Sequence, residues 1–286
     1  MHFNKVLIFG VGLIGASFAR GLKAAHAATE IIGFGRTPKS LKVAYDLGII
    51  DEVGINPGAD VREADLILVA TPVGQMPEIF ERIAPYLGER TIVTDAGSTK
   101  SDVVEAARLA FGNRIGQFVP GHPIAGAETS GAEASRADLY QGRKVVLTPL
   151  LENSVADIET VKRAWELCGA DVRILDAETH DRVFAAVSHL PHLLAFALVD
   201  EFAKRGNAEQ LFDYAAAGFR DFTRIAGSHP EMWRDISLAN RTALLAELDR
   251  YNAALMRLRQ ALVNSDGDSL AEIYTNARDK RQNWSH

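Results

Sequence analysis

His122 stands in the run Gly121-His122-Pro123-Ile124-Ala125-Gly126, just past a short apolar stretch, Phe118–Val119, that reads as a strand. An imidazole at a strand end can take a proton from a hydroxyl near neutral pH. Taken alone, it is equally well a structural histidine. Ser98 occupies a similar place in Asp95-Ala96-Gly97-Ser98-Thr99-Lys100, after the strand-like run Thr91–Thr94. Its hydroxyl can hydrogen-bond a substrate hydroxyl or cap the helix that follows, and both roles can hold together. Cys168, the single cysteine, reads as a small buried apolar residue and not as a nucleophile. It leaves no internal disulfide and suits a reducing compartment.

The elements that must position these residues alternate. Short apolar runs at Val6–Phe9, Ile31–Phe34, Leu66–Ala70, Thr91–Thr94, Phe118–Val119, Lys144–Leu147 and Val172–Leu175 are separated by helical patterns such as Leu13–Ala25, Lys39–Leu47, Met76–Tyr86 and Ser154–Cys168. Such alternation implies a parallel sheet covered on both faces. From His180 to Ala277 no strand is evident, and apolar residues recur at helical spacing, as in Leu244, Leu248, Leu255, Leu258 and Leu262. The expected fold is an α/β Rossmann-like N-terminal domain with a mostly parallel sheet, residues 1–176, followed by an all-α domain, residues 177–286. Long amphipathic helices suit a homodimer that buries them between subunits. A helical tail wrapped on the first domain is the rival arrangement.

Gly10-Val11-Gly12-Leu13-Ile14-Gly15 follows the first strand and opens a helix, the context that a dinucleotide-binding G-x-G-x-x-G requires. Gly10 permits the turn, Gly12 lets a pyrophosphate approach the backbone, and Gly15 lets the helix pack on the sheet. The helix that opens at Leu13 and Ile14 offers its N–H groups and dipole to the phosphates. About 20 positions further on, an acidic residue would hold the ribose 2′-hydroxyl of NAD. Here that place is Gly35, followed by Arg36 and Thr37. A small residue beside an arginine accommodates a 2′-phosphate, so NADP is expected in preference, with NAD possible; Arg36 stacking on adenine or facing water is the competing use. Thr71 and Pro72 follow the strand Leu66–Ala70, at the carboxyl edge where such sheets bind ligands. With a nicotinamide there, His122 can take a hydroxyl proton during hydride transfer.

The chain has 286 residues, 47% of them hydrophobic, with a formal net charge of -6. This acidic balance argues against a nucleic-acid partner. No apolar run is expected to approach the roughly 20 residues that span a bilayer. Met1–Lys5 runs straight into a strand, so no signal peptide is expected and the expected location is cytoplasmic.

Five motifs taken together carry a resemblance. Gly10-Val-Gly-Leu-Ile-Gly-Ala-Ser, Asp95-Ala-Gly-Ser-Thr-Lys, Gly121-His-Pro-Ile-Ala-Gly-Ala-Glu, Ser188-His-Leu-Pro-His and Phe219-Arg-Asp-Phe-Thr-Arg-Ile-Ala resemble the prephenate/arogenate dehydrogenase family of tyrosine biosynthesis. The resemblance runs over nearly the whole chain, and the last four motifs are far more specific than the glycine loop. It implies oxidative decarboxylation of a cyclohexadienol, with His122 as base and Ser98 bonded to the 4-hydroxyl. It also implies that Arg224 grips a substrate carboxylate, for which a guanidinium is suited. His192 and His180 match family histidines lining the site, with His189 a weaker match. Glu128, Asp221 and Trp233 match positions around the pocket. No metal site is expected, because His189 and His192 lack nearby carboxylate or thiolate ligands. Prephenate is the favoured substrate, with arogenate use open. With the helical part ending at His286, neither a mutase nor a regulatory domain is expected, so tyrosine inhibition is expected to be competition at the active site.

Two alternatives fit the glycine loop. Another two-domain dehydrogenase, of the hydroxyacid or 6-phosphogluconate type, would more naturally use a lysine base. A non-catalytic dinucleotide sensor would not need Ser98, His122 and Arg224 together.

Overall fold

In the first strand, β1 (Phe3–Phe9), Val6 and Ile8 enter one hydrophobic core while Leu7 and Phe9 enter another. Side chains alternate along a strand, so this run buries both faces. β4 (Leu66–Val69) repeats the division, Leu66 and Leu68 against Ile67 and Val69. The computed structural model describes residues 1–126, 129 and 131–284.

The main sheet has six parallel strands in the order β3-β2-β1-β4-β5-β6. The others are β2 (Ala28–Phe34), β3 (Glu52–Val53), β5 (Ile92–Asp95) and β6 (Phe118–Val119). On one face lie α1 (Leu13–Ala24), α2 (Pro38–Asp46) and α6 (Val155–Leu167), which contribute Phe18, Leu41 and Trp165 to the core. On the other lie α3 (Pro57–Glu63), α4 (Met76–Ile83) and α5 (Ser101–Phe111), contributing Val61, Phe80 and Phe111. The strand order reverses between β1 and β4, the place where open sheets of this type bind ligands at their carboxyl ends.

The chain does not continue the main sheet after β6. Pro120 has no N–H for a ladder, and its carbonyl accepts instead from Thr148 N at 2.9 Å. A small second sheet follows, β7 (Gly121–Pro123), β8 (Lys144–Leu147) and β9 (Asp171–Ile174), with β7–β8 antiparallel and β8–β9 parallel. The runs at 144–147 and 172–175, expected in the parallel sheet, therefore belong to this separate one. Cys168 is buried against Gly21 of α1, and burial pushes its thiol pKa up to about 12.

Beyond β9 the chain is helical. Asp176 caps α7 (Ala177–Phe184) by accepting from Thr179 N at 2.8 Å. A single turn with wider, i→i+5 spacing, Ala185–His189, joins α7 to α8 (Leu190–Ala203) without interruption. The continuous run Ala177–Ala203 is 27 residues long with a hydropathy of 1.6, enough by length and composition to cross a membrane. The expectation of no run of that length therefore does not hold by this measure, because only Ser188, His189, Pro191 and His192 interrupt the apolar stretch 183–199. Three further helices follow, α9 (Ala208–Asp213), α10 (Ala217–Thr223) and α11 (Pro230–Ala239). The chain forms two compact units, Met1–Arg241 and Thr242–His286. The boundary expected at residue 176 lies inside the first. The second holds most of α12 (Arg241–Val263) and all of α13 (Gly267–Gln282), whose first turn is capped by Asp266 through Ser269 N at 2.9 Å.

Candidate active site

The carboxyl ends of the central strands bring the motifs together. β1 runs into Gly10, which has a φ of +95°, in the left-handed region that glycine alone adopts freely. A Cβ there would lie 2.7 Å from the carbonyl oxygen of Ala70, at the end of β4. On Gly15 it would lie 2.2 Å from the Gly10 oxygen. Gly12 is different: a Cβ on it would meet nothing within 4 Å. It also begins α1 with no side chain capping the helix amides. Open space over an uncapped helix N-terminus fits a pyrophosphate. Thr71, beside Gly10, has a buried hydroxyl with no hydrogen-bond partner among the described residues, so it is free to bond a ligand. Leu13, Ile14 and Pro72 line the same edge half-buried, and Gly35, Arg36 and Thr37 are exposed at the end of β2.

Ser98 follows β5 and is half-buried. It does not cap α5; that helix starts at Lys100 without a local side-chain cap. The cap comes from across the fold. The Asp181 carboxylate on α7 accepts from Lys100 N and Ser101 N, each at 2.8 Å. The helix amides favour an anion at this place, and the Asp181 pKa is lowered: burial opposes ionisation, and hydrogen bonds from His180, Ser101 and Lys100 outweigh it.

The same carboxylate begins a chain of hydrogen bonds. His180 Nδ1 lies 2.9 Å from Asp181 Oδ1, and His180 Nε2 lies 2.8 Å from His122 Nδ1. An ionised carboxylate only accepts, so His180 carries its proton on Nδ1. Its Nε2 is then an acceptor, and His122 must donate from Nδ1. His122 Nε2 is left with a free lone pair. Burial first, then His180, Lys100 and His189, hold the His122 pKa well below its ordinary value. Burial lowers His180 as well. Phe184 packs edge-on against the His122 ring at 4.9 Å.

His189 and His192 follow on the wide turn and α8. Asn240 Nδ2 donates to the Asp181 carbonyl at 2.8 Å and lies 3.0 Å from His189 Nδ1, so that nitrogen accepts. Burial lowers the His189 pKa to about 4. His192 Nδ1 bonds the Ser188 carbonyl at 2.9 Å, and its ring stacks on Trp233 at 3.6 Å. The charge of Arg224 also acts on His192. Trp233 is thus a buried wall, and Arg224 lies exposed in the turn after α10. Asp221 is exposed on α10. Glu128 lies outside the described residues. The described residues hold no group of three or more histidine, cysteine or carboxylate side chains arranged for a metal.

A model of the prephenate dehydrogenase nucleotide-binding domain matches residues 18–174, and one of the prephenate dehydrogenase dimerization domain matches residues 176–276. The chain belongs to the prephenate dehydrogenase family. It is 36% identical to the cyclohexadienyl dehydrogenase of Zymomonas mobilis, over 98% of this chain and 95% of that one. It is 34% identical to the prephenate dehydrogenase of Bacillus subtilis, over 97% of this chain and 75% of that one. The crystal structure of prephenate dehydrogenase from Aquifex aeolicus in complex with hydroxyphenyl propionate and NAD+ superposes with a TM-score of 0.92 at 39% identity, covering 99% of this chain and 98% of that one. This is a family of dehydrogenases, and the matched nucleotide-binding domain supports a nicotinamide dinucleotide as cofactor.

Of the residues expected at the site, the structure brings His122 and His180 into direct contact and stacks His192 on Trp233. Sequence reasoning overlooked Asp181 as a partner of His180 and missed Asn240 and the pair Lys100–Asp95. The signal for Asp181 was its adjacency to His180; for Lys100 it was a cation and a carboxylate closing one short motif.

Proposed function

We propose that this dehydrogenase oxidatively decarboxylates prephenate, with arogenate as a second substrate, in tyrosine biosynthesis. The observation that carries the mechanism is the hydrogen-bonded run His122–His180–Asp181, which leaves His122 Nε2 as a neutral base. Gly10, Gly12, Gly15 and the amides of Leu13 and Ile14 would hold the dinucleotide, with Thr71 and Pro72 along its path. When bound, that dinucleotide supplies the acceptor for the hydride leaving C4 of the substrate. His122 Nε2 takes the proton of the 4-hydroxyl. The cation that forms on His122 is steadied by its bond to His180 and, through it, by Asp181, as in a base-and-orienter pair. Ser98 donates to or accepts from the same hydroxyl and fixes its direction. Carbon dioxide leaves C1 as the ring becomes aromatic, which makes the step effectively irreversible.

Arg224 grips a substrate carboxylate, with His192 held against Trp233 beside it. His180 and His189 act behind this surface as neutral, buried rings. Asp221, exposed on α10, belongs to the rim. NADP is the preferred cofactor, because Arg36 follows Gly35 at the end of β2 and no carboxylate stands within residues 35–42. The working form is a cytoplasmic homodimer: the matched dimerization segment and exposed apolar residues of α12, among them Leu255, Met256 and Leu262, favour it. Residues 1–176 form the dinucleotide-binding domain, which also carries Ser98 and His122, and residues 177–286 form the helical domain for the rest of the substrate site and the dimer.

Assays of prephenate and arogenate, each with NAD and with NADP, test the reading. The expected order is prephenate above arogenate and NADP above NAD. Absence of turnover in all four combinations would overturn it.

A further inference from the structure

A single buried ion pair touches the residue before each of the two catalytic candidates. Lys100 and Asp95 have no solvent exposure and pair directly. Asp95 Oδ2 also accepts from Gly97 N at 2.7 Å, and Asp95 Oδ1 accepts from Gly121 N at 3.0 Å. Lys100 Nζ donates to the Gly121 carbonyl at 2.8 Å. Gly97 precedes Ser98, and Gly121 precedes His122. A Cβ on Gly97 would lie 2.8 Å from Asp95 Oδ2, and one on Gly121 3.1 Å from the Asp95 carbonyl oxygen. At Gly97 the Asp95 carboxylate itself leaves no room for a side chain, whereas at Gly121 the close neighbours are the Asp95 backbone and Leu147.

We propose that Lys100 and Asp95 form a positioning clamp for the reaction, setting the spacing between Ser98 and His122 and fixing a cation behind the base. The inference rests on the roles given above to Ser98 and His122. A buried ion pair is a poor source of stability, since apolar residues of the same volume often do as well or better. Apolar residues, however, cannot hold two backbone N–H groups and one carbonyl at once. The clamp therefore has a geometric use that packing alone does not supply. The cation also opposes protonation of both His122 and His180. The other groups bearing on His122 are His180, its neighbour Asp181, and His189.

The test compares Lys100→Met, the charge-free double variant Asp95→Asn/Lys100→Met, Ser98→Ala and His122→Asn. Each is measured for Tm, NADPH affinity, kcat and KM for prephenate, and the pH dependence of kcat. In Lys100→Met, kcat is expected to fall about 100-fold, the effect of a misplaced base. NADPH affinity should stay within about threefold, and the acid limb should move up by about half a pH unit or more. The double variant should regain the Tm lost by Lys100→Met while kcat stays low, a split that a purely structural role does not produce. A folded double variant with kcat within about threefold of the parent and an unmoved acid limb overturns the clamp. If Lys100→Met does not fold, the double variant decides alone. Retained turnover in His122→Asn would instead remove the underlying reading, so the two failures are distinguishable.

Discussion

Replacing Asp181 with asparagine should disable the base without touching the substrate. The carboxylate receives three hydrogen bonds, from Lys100 N and Ser101 N at 2.8 Å and from His180 Nδ1 at 2.9 Å. An amide keeps one acceptor and turns the other oxygen into a donor, so the three cannot all survive. Lys100 N and His180 Nδ1 share Oδ1, while Ser101 N has Oδ2. With the amide oxygen kept on Ser101 N, the new NH2 takes the Oδ1 place and faces His180 Nδ1. His180 must then carry its proton on Nε2, and His122 must accept it at Nδ1. The His122 proton moves to Nε2, where the base needs a lone pair. Loss of one charged hydrogen bond costs about 1.5–3 kcal/mol, or roughly 10- to 150-fold in rate. Where an orienting carboxylate becomes an amide and the tautomer is wrong, the fall reaches about 10⁴-fold. The expected fall in kcat is therefore about 10²- to 10⁴-fold, with KM for prephenate little changed. Removing the anion from the start of α5 should also cost about 1 kcal/mol of stability. Steady-state kinetics at saturating cofactor, with a thermal melt alongside, measure both. A variant with kcat within about threefold of the parent would refute the tautomer reasoning.

Other outcomes follow from the same geometry. Arg224→Ala should raise the prephenate KM by about 10- to 100-fold with a smaller effect on kcat, the pattern of a lost carboxylate grip; an unchanged KM would remove Arg224 from binding. Arg36→Ala should weaken NADP by about 10-fold and leave NAD unaffected, as read by cofactor titration. Stability should fall as the solution is acidified. His189 is held neutral in the fold with a pKa lowered from 6.5 to about 4. The unfolded chain therefore binds more protons between those values, and stability decreases as pH drops through that window. His189 alone accounts for roughly 3 kcal/mol. Urea unfolding at intervals of pH checks this, and His189→Asn should show a shallower decline.

Much of the fold is legible because its strands are buried on both faces. β1, β4 and β5 are short apolar runs ending in glycine, proline or polar loops, too short for typical helices and flanked by turn residues. β3 is only Glu52–Val53, an edge strand too short and too polar to carry a period. β7 was hidden because Gly121 and Pro123, both poor strand formers, flank the histidine. What makes them acceptable is tertiary: Asp95 and Lys100 satisfy the backbone of Gly121. The site divides the same way. His122 and Ser98 follow strands of the α/β half, where the position of a residue after a strand foretells its place at the carboxyl edge. Asp181 lies within α7, yet the amides that it caps are 80 and 81 residues away. No local pattern encodes that partner. The wide turn at Ala185–His189 is likewise absent from the sequence signal, although Pro191, just beyond it, has no N–H for a helical bond.

The most direct measurement is single-turnover conversion of prephenate by His122→Asn with NADP at saturation. If His122 is the base, the rate of the chemical step should fall by about 10²- to 10⁴-fold while cofactor affinity and Tm stay near those of the parent. Turnover at the parent rate would contradict the assignment of the base and, with it, the account of why His180 and Asp181 stand behind it.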